Sequence, residues 1–164
     1  MSSLDNPLAA LAAIAACYLP LIILFRYRAA AMRTLALKLG FRYSTGRTPL
    51  WFAPRDYQPI PTSFRLRGWP LNKLSRTWNV IEGEINGVSL IILDSVLNLG
   101  FKSGIYCTFI AARSDSNPFV NQSPKEKIAH SNGWTAIYRT NGWLIIPWTL
   151  SIERIEEHVH NLKA

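Results

Sequence analysis

The sequence predicts an α+β protein: an N-terminal transmembrane helix, then an antiparallel β-sheet of hairpins with a C-terminal helix packed on it. An uncharged apolar run fills residues 8–25, two Asn-Gly pairs separate strand-like segments, and an amphipathic segment closes the chain. Asn-Gly is the favoured pair of tight hairpin turns. We therefore expect three regions: residues 1–28 as tail and transmembrane helix, 29–63 as juxtamembrane helix and proline-rich linker, and 64–164 as a cytoplasmic α+β domain.

The apolar run is long enough to cross a bilayer. As a helix, its residues rise about 1.5 Å each and span roughly 27 Å, close to the thickness of the hydrocarbon core. A buried core helix is the alternative, but a domain of the remaining size would scarcely enclose a helix that is apolar on every side. Pro20 is compatible with the span because membrane helices tolerate proline.

The charges that flank the run predict its orientation. Asp5 is the sole charge before the run, whereas Arg26, Arg28, Arg33 and Lys38 follow it closely. The positive-inside rule then places the N-terminus outside and the C-terminal domain in the cytoplasm, in a single-pass protein of the cell membrane. A cleaved signal peptide would carry its basic residues before the run, so we expect an uncleaved anchor.

Basic residues concentrate in the half of the chain next to this span. Residues 26–76 hold eleven Lys and Arg and one acid, whereas residues 77–164 hold seven basic and eight acidic residues. Such a segment is attracted by anionic headgroups, although it also serves as a topology signal and as ordinary solvated charge. The lipid-contacting candidates are Arg26, Arg28, Arg33, Lys38, Arg65, Arg67, Lys73 and Arg76. Aromatic residues between the last four also resemble a nucleic-acid surface, but membrane contact is the favoured interpretation.

The chain after the span is predicted to form a helix, a loop and a hairpin. Strong helix formers follow the span and stop at Gly40. Prolines interrupt residues 44–63, where Trp51 and Phe52, together with Trp69 further on, are candidate aromatic residues for the membrane interface. For Trp51 and Phe52, covering one edge of the core is the favoured alternative. Phe64–Trp69 alternates like a short strand. Two longer strands, Trp78–Ile85 and Val88–Asp94, are expected to form a hairpin around Asn86-Gly87.

The remaining sequence, from residue 105 onward, predicts further strands and a C-terminal helix. Residues 105–111 form a strand, and residues 113–132 form an exposed loop with a possible helical turn at 125–130. A second hairpin joins Trp134–Thr140 to Trp143–Ile146 through Asn141-Gly142. Ser151 caps the last helix, whose apolar face is formed by Ile152, Ile155, Val159 and Leu162.

A set of short segments runs from the end of the juxtamembrane helix into the first hairpin: Gly40-Phe41-Arg42-Tyr43, Asn79-Val-Ile-Glu-Gly83, Gly87 and Asp94. In these segments the chain resembles a group of small bacterial membrane-anchored proteins of uncharacterised function, and the resemblance covers residues 30–164. It implies a transmembrane helix followed by a cytoplasmic α+β domain. Leu93 and Ser95 stand where the group usually has aromatic residues beside the aspartate.

Few residues are candidates for chemistry. Glu82 and Glu84 share one face of a strand, and Asp94 ends an apolar run, where we expect it to cap a turn. His158 and His160 diverge on their helix and are expected to be solvated, and Cys107 is expected to fill core space. The motifs of the common nucleotide-binding, zinc and hydrolase sites are missing from the sequence, which predicts no cofactor and no metal.

The leading hypothesis is therefore a noncatalytic binding or accessory module. It would be anchored by one span, contact anionic lipid through its basic segment, and bind a protein partner in a membrane assembly. The alternative is an enzyme that acts on a membrane-proximal substrate, with Asp94 and either Glu82 or Glu84 as acid-base groups.

Overall fold

The fold is α+β, with six antiparallel strands and two helices in the residues that the computed structural model describes. These residues are 7–46, 74–98, 104–114, 116–131, 133–140 and 150–162. The elements are α1 (Pro7–Leu39), β1 (Arg42–Gly46), β2 (Leu74–Ile85), β3 (Val88–Asn98), β4 (Gly104–Arg113), β5 (Lys127–Ser131), β6 (Trp134–Thr140) and α2 (Ile152–His160).

The sheet is assembled almost entirely from neighbours in sequence. Its strand order is β1-β2-β3-β4-β6-β5, so β5 lies at one edge and β6 is inserted between β4 and β5. The hairpin of β2 and β3 forms as predicted, because Asn86 and Gly87 both have positive φ, 52° and 78°, as a type I′ turn requires. Local turn chemistry therefore sets the register of the two longest strands.

Helix α1 passes through two environments without a break, although Pro20 lies inside it. Its first half (residues 7–24) leaves large apolar side chains exposed, among them Leu19 and Ile23, each 58% exposed. From Phe25 onward one face becomes buried, at Phe25, Arg28, Met32, Leu35 and Ala36. This spacing of three or four residues keeps one stripe of the helix against the sheet. The packed unit thus begins within α1, well before residue 64.

Both helices pack on the same face of the sheet. Met32 and Leu35 from α1, and Ile155 and Val159 from α2, share a core cluster with sheet residues that include Ile92. The opposite face carries a second cluster with Leu93, Cys107, Phe109 and Tyr138, and the rings of Phe109 and Tyr138 stack at 5.4 Å between centroids. Cys107 is fully buried there, as predicted. Functional groups that the helices position therefore lie on the face of the sheet that packs against α1 and α2.

Close packing at the start of the sheet depends on Gly83. A Cβ atom at this position would lie 2.2 Å from Cδ1 of Phe41. The missing side chain thus lets the Phe41 ring rest on β2, where Phe41 joins the helix-face core.

Four expectations differ from the structure or lie outside its described residues. The segment predicted as a helical turn is strand β5, because its backbone pairs with β6 and Ile128 packs into the core. Strand β3 runs on to Asn98, so Asp94 lies inside a strand and does not cap a turn. Phe64–Trp69 and Trp143–Ile146 lie outside the described residues.

Candidate functional site

The helix-facing side of the sheet carries a row of paired residues at the end where α1 enters the fold. Trp78 pairs with Asp94, Asp94 with Thr108, and Thr108 with Arg139, across four adjacent strands. The ring of Phe25, the last residue of the apolar run, contacts Trp78 edge-on with centroids 5.9 Å apart. We call this end of the sheet the proximal end, because it lies nearest the exposed apolar half of α1.

The centre of the row is a buried ion pair between α1 and β3. Arg28 Nε donates to Asp94 Oδ2 at 3.1 Å, and its Nη2 donates to Oδ1 at 3.2 Å. The two side chains are 3% and 0% exposed. A two-pronged contact of this kind matches the planar guanidinium to the planar carboxylate and fixes the orientation of both. It joins residues that are 66 positions apart in sequence.

Neighbouring strands supply further hydrogen bonds to the same carboxylate. Thr108 Oγ1 donates to Asp94 Oδ1 at 2.6 Å, and Asn79 Nδ2 donates to Oδ2 at 2.9 Å. Asn79 has a φ of 52° and lies in the irregular part of β2 between Trp78 and Ile81. The bulge at this position turns its amide toward Asp94, since an extra residue redirects the strand locally.

Tyr43, on the edge strand β1, adds one more hydrogen bond to this network. Its hydroxyl donates to Oδ1 of Asn79 at 2.9 Å. Burial, with the negative charge of Asp94 nearby, raises the pKa of Tyr43 to about 12, so the hydroxyl stays protonated and acts as a donor. The network therefore reaches from the edge strand β1 to β4 and holds α1 at its centre.

This geometry makes Asp94 a structural carboxylate. Both of its oxygens accept two hydrogen bonds, and the side chain is fully buried among these partners. Glu82 faces the other side of the sheet, where its partner across β3 is Ile91, and it pairs with Arg42. The acid-base groups of the enzyme hypothesis are thus not brought together.

The lipid-contacting candidates fall into different environments. Arg26 and Arg33 are exposed on α1. Lys38 is also exposed and pairs with Glu156 at 2.8 Å. Arg28, in contrast, is buried in the protein interior with Asp94, so it cannot reach a headgroup in this structure. The side chains of Arg65, Arg67, Lys73 and Arg76, and the aromatic candidates Trp51, Phe52 and Trp69, lie outside the described residues.

A second ion-pair cluster ties α2 to the segment before β5. Arg154 donates from Nε to Oε1 and from Nη2 to Oε2 of Glu126, each at 2.8 Å, and the backbone N–H of Ser123 donates to Oε2 at 2.8 Å. Burial opposes ionisation of Glu126, but the hydrogen bonds from Arg154, Ser123 and His158 outweigh it and lower its pKa to about 2. The same pairing raises the pKa of Arg154. Glu126 is therefore a carboxylate whose charge is already balanced.

His158 differs from its prediction as a solvated residue. It is 1% exposed, and its Nε2 lies 3.2 Å from Oε1 of Glu126. Positions 155, 158, 159 and 162 form one helical stripe, so the histidine falls on the apolar face that packs against the sheet, where the ring of Phe119 contacts it edge-on. His160 is exposed as predicted.

Sequence reasoning missed both ion-pair clusters. One signal was available for the first: Asp94 interrupts an apolar strand, and a charge inside a core strand requires a partner. Within the part of the chain that the structure describes, no group of three metal-ligating side chains comes together.

Comparison with known proteins yields no match: no protein-family model fits the chain, and neither characterised proteins nor solved structures are similar to it. The resemblance to small bacterial membrane-anchored proteins stays a prediction. Inferences about function therefore depend on the geometry of α1 and of the two ion-pair clusters.

Proposed function

We propose that the protein is a single-pass, membrane-anchored, noncatalytic binding or accessory module whose domain is held against the cytoplasmic surface of the cell membrane. The observation that supports it best is the continuity of α1. Among the described residues, it is the one helix long and apolar enough to cross a membrane, and the same helix supplies buried core residues to the domain. The anchor and the domain are thereby a single unit with no linker between them.

The Arg28–Asp94 pair gives this arrangement a defined geometry. Arg28 lies three residues beyond Phe25, about 4.5 Å along the helix axis. Asp94 accepts hydrogen bonds from its two neighbouring strands, β2 through Asn79 and β4 through Thr108. Rotation of α1 about its axis or sliding along it would separate a buried cation from a buried anion. Because an unpaired buried charge is strongly unfavourable, the pair specifies how the domain is presented at the bilayer.

An accessory role in a membrane assembly is supported by the outer face of the cytoplasmic part of α1. Arg26 and Arg33 are seven residues apart, so they lie on nearly the same side of the helix. Leu37, 75% exposed, follows one turn after Arg33. This face offers cations to headgroups and an apolar side chain to a protein partner. The enzyme alternative has less support, because Asp94 is saturated with hydrogen bonds.

Charge substitutions on α1 test the anchor. The wild-type chain should resist carbonate extraction, and a reporter fused after Ala164 should behave as cytoplasmic. Replacing both Ala16 and Leu19 by Arg should release the chain from the membrane fraction, because each charge near the centre of a span costs about 2.5–3.5 kcal/mol.

The matched control is Leu37→Arg, which changes a leucine of the same helix that lies outside the apolar half and is more exposed than Leu19. This variant should remain in the membrane fraction. Release of the wild-type chain by carbonate, or an exported reporter, would overturn the proposed anchor or its orientation, respectively.

A further inference from the structure

A cleft of about 700 Å³ opens at the proximal end of the sheet, beside the ion pair of α2. The residues that matter for its chemistry are Asn121, Ser123, Glu126, Arg139, Ser151 and Arg154. They come from the loop before β5, from β6 and from the start of α2. None of them was a candidate for function in the sequence.

The cleft holds one cation, Arg139, that pairs directly with none of the described protein groups. Arg154, in contrast, pairs with Glu126 through two hydrogen bonds and with Glu157 through a third at 2.5 Å. Arg139 is half-buried on the same face, and no hydrogen-bond or ion-pair partner for it occurs among the residues that the structure describes. A partly desolvated cation without a partner costs stability, which makes it a candidate ligand-binding group.

Two residues with neutral donor groups line the same cleft as this cation. They are Asn121, whose side chain carries an amide, and Ser123, whose side chain carries a hydroxyl. The hydroxyl oxygen of Ser123 already accepts the backbone N–H of Lys125 at 3.4 Å, so its own hydrogen can be donated to a ligand. One guanidinium with adjacent neutral donors suits an oxyanion, and the planar fork of arginine is particularly suited to phosphate.

The position of the cleft points to the source of that phosphate. Arg139 belongs to the same row as Asp94, two strands away, which corresponds to about 10 Å at the usual strand spacing. Asp94 in turn holds Arg28, just past the end of the apolar run. If α1 spans the bilayer as proposed above, the cleft lies at the level of the lipid headgroups.

We propose that this cleft binds the phosphate group of an anionic lipid headgroup, with Arg139 as the charged ligand and with Asn121 and Ser123 as neutral donors. This inference rests on the proposed anchor for the source of the phosphate, but the phosphate chemistry itself does not depend on it. The site would give the module a preference for anionic lipid in addition to the exposed cations of α1.

The test compares Arg139→Gln with Arg113→Gln in the full chain. Arg113 is exposed at the opposite end of β4 and provides the same change of charge on the same sheet. Each protein is reconstituted in phosphatidylcholine nanodiscs with and without phosphatidylglycerol, and the retained lipid is counted by native mass spectrometry. Arg139→Gln should retain about tenfold less phosphatidylglycerol than wild type, as expected for loss of a charged hydrogen bond, while Arg113→Gln should match wild type.

The stability of the variant separates binding from folding. Because Arg139 lacks a partner among the described residues, Arg139→Gln should unfold in lipid-free detergent at a temperature no lower than wild type. If it fails to fold, Asn121→Gly serves instead, since φ of Asn121 is 61° and glycine adopts this conformation freely. Asn121→Gly should also retain less phosphatidylglycerol, and wild-type retention by either folded variant would overturn the site.

A titration with inorganic phosphate distinguishes the possible sources of the group. Retention of both lipids that does not depend on Arg139, with inorganic phosphate bound through Arg139, would overturn the lipid assignment and indicate a soluble phosphate. The same phosphate binding in a chain that carbonate extracts would mean that the anchor proposal had failed while the phosphate site stood.

Discussion

Replacing Asp94 by alanine should lower the free energy of unfolding by about 3–5 kcal/mol, among the largest effects expected of any single substitution in this protein. The change would leave the Arg28 guanidinium buried at 3% exposure without its carboxylate. It would also remove the acceptor of the Asn79 and Thr108 side chains. Chemical denaturation of the full chain in detergent, followed by tryptophan fluorescence, would measure the loss.

The exposed ion pair between Arg42 and Glu82 is the control. It joins β1 to β2, and its side chains are 63% and 28% exposed. Because water solvates each partner when the other is removed, Glu82→Ala should change the free energy of unfolding by no more than about 1 kcal/mol. If Asp94→Ala were as mild as Glu82→Ala, the buried pair would not be what holds α1 to the sheet.

A double substitution separates pairing from burial. Arg28→Met combined with Asp94→Leu removes both charges and retains bulk, and such replacements of buried pairs are often neutral or stabilising. The double variant should therefore be markedly more stable than Asp94→Ala. Equal loss in the two variants would mean that shape at this position matters more than charge.

Removing the half of α1 that packs on the sheet, residues 25–39, should abolish folding of the domain altogether. A fragment that starts at Phe25 lacks the apolar half but retains Met32, Leu35 and Arg28, so it should give a cooperative unfolding transition. A fragment that starts at Phe41 loses these core residues. Truncation of one such side chain to alanine already costs about 2–5 kcal/mol, against a typical total stability of about 5–15 kcal/mol.

Circular dichroism and thermal melting of the two fragments would measure this difference. The fragment from Phe25 is the matched control, since it also lacks the apolar half of α1. A cooperative melt of the fragment from Phe41 would show that α1 is an appendage of the domain, contrary to its place in the core.

The elements that could be predicted from the sequence are those whose signals are local. The Asn86-Gly87 turn sets its own hairpin, and the stripe of Ile155, Val159 and Leu162 identifies the buried face of α2. Strand β5 could not be predicted from a local signal of this kind. Its five residues gain their strand conformation from pairing with β6, and that pairing is not encoded within the segment.

The candidate site was harder to predict, because each of its interactions joins distant parts of the chain. Because Arg28 follows an apolar run, its sequence position indicates only the orientation of the helix. Its partner Asp94 is 66 residues away. His158 reads as solvated because histidine is polar, yet its helical position places it beside Ile155 and Val159. Periodicity identifies the face on which a residue lies, but the partner on that face depends on the packing of the whole sheet.

Hydrogen–deuterium exchange along α1 in the full chain, reconstituted in liposomes, tests most directly whether anchor and domain share one rigid helix. An uninterrupted helix predicts slow exchange from the apolar half through Phe25 and Arg28 to Leu35, since backbone N–H groups inside a continuous helix are hydrogen-bonded within it. The Asp94→Ala variant should exchange faster around Arg28. Rapid exchange between residues 24 and 30 of the wild-type chain would reveal a hinge and would contradict the account.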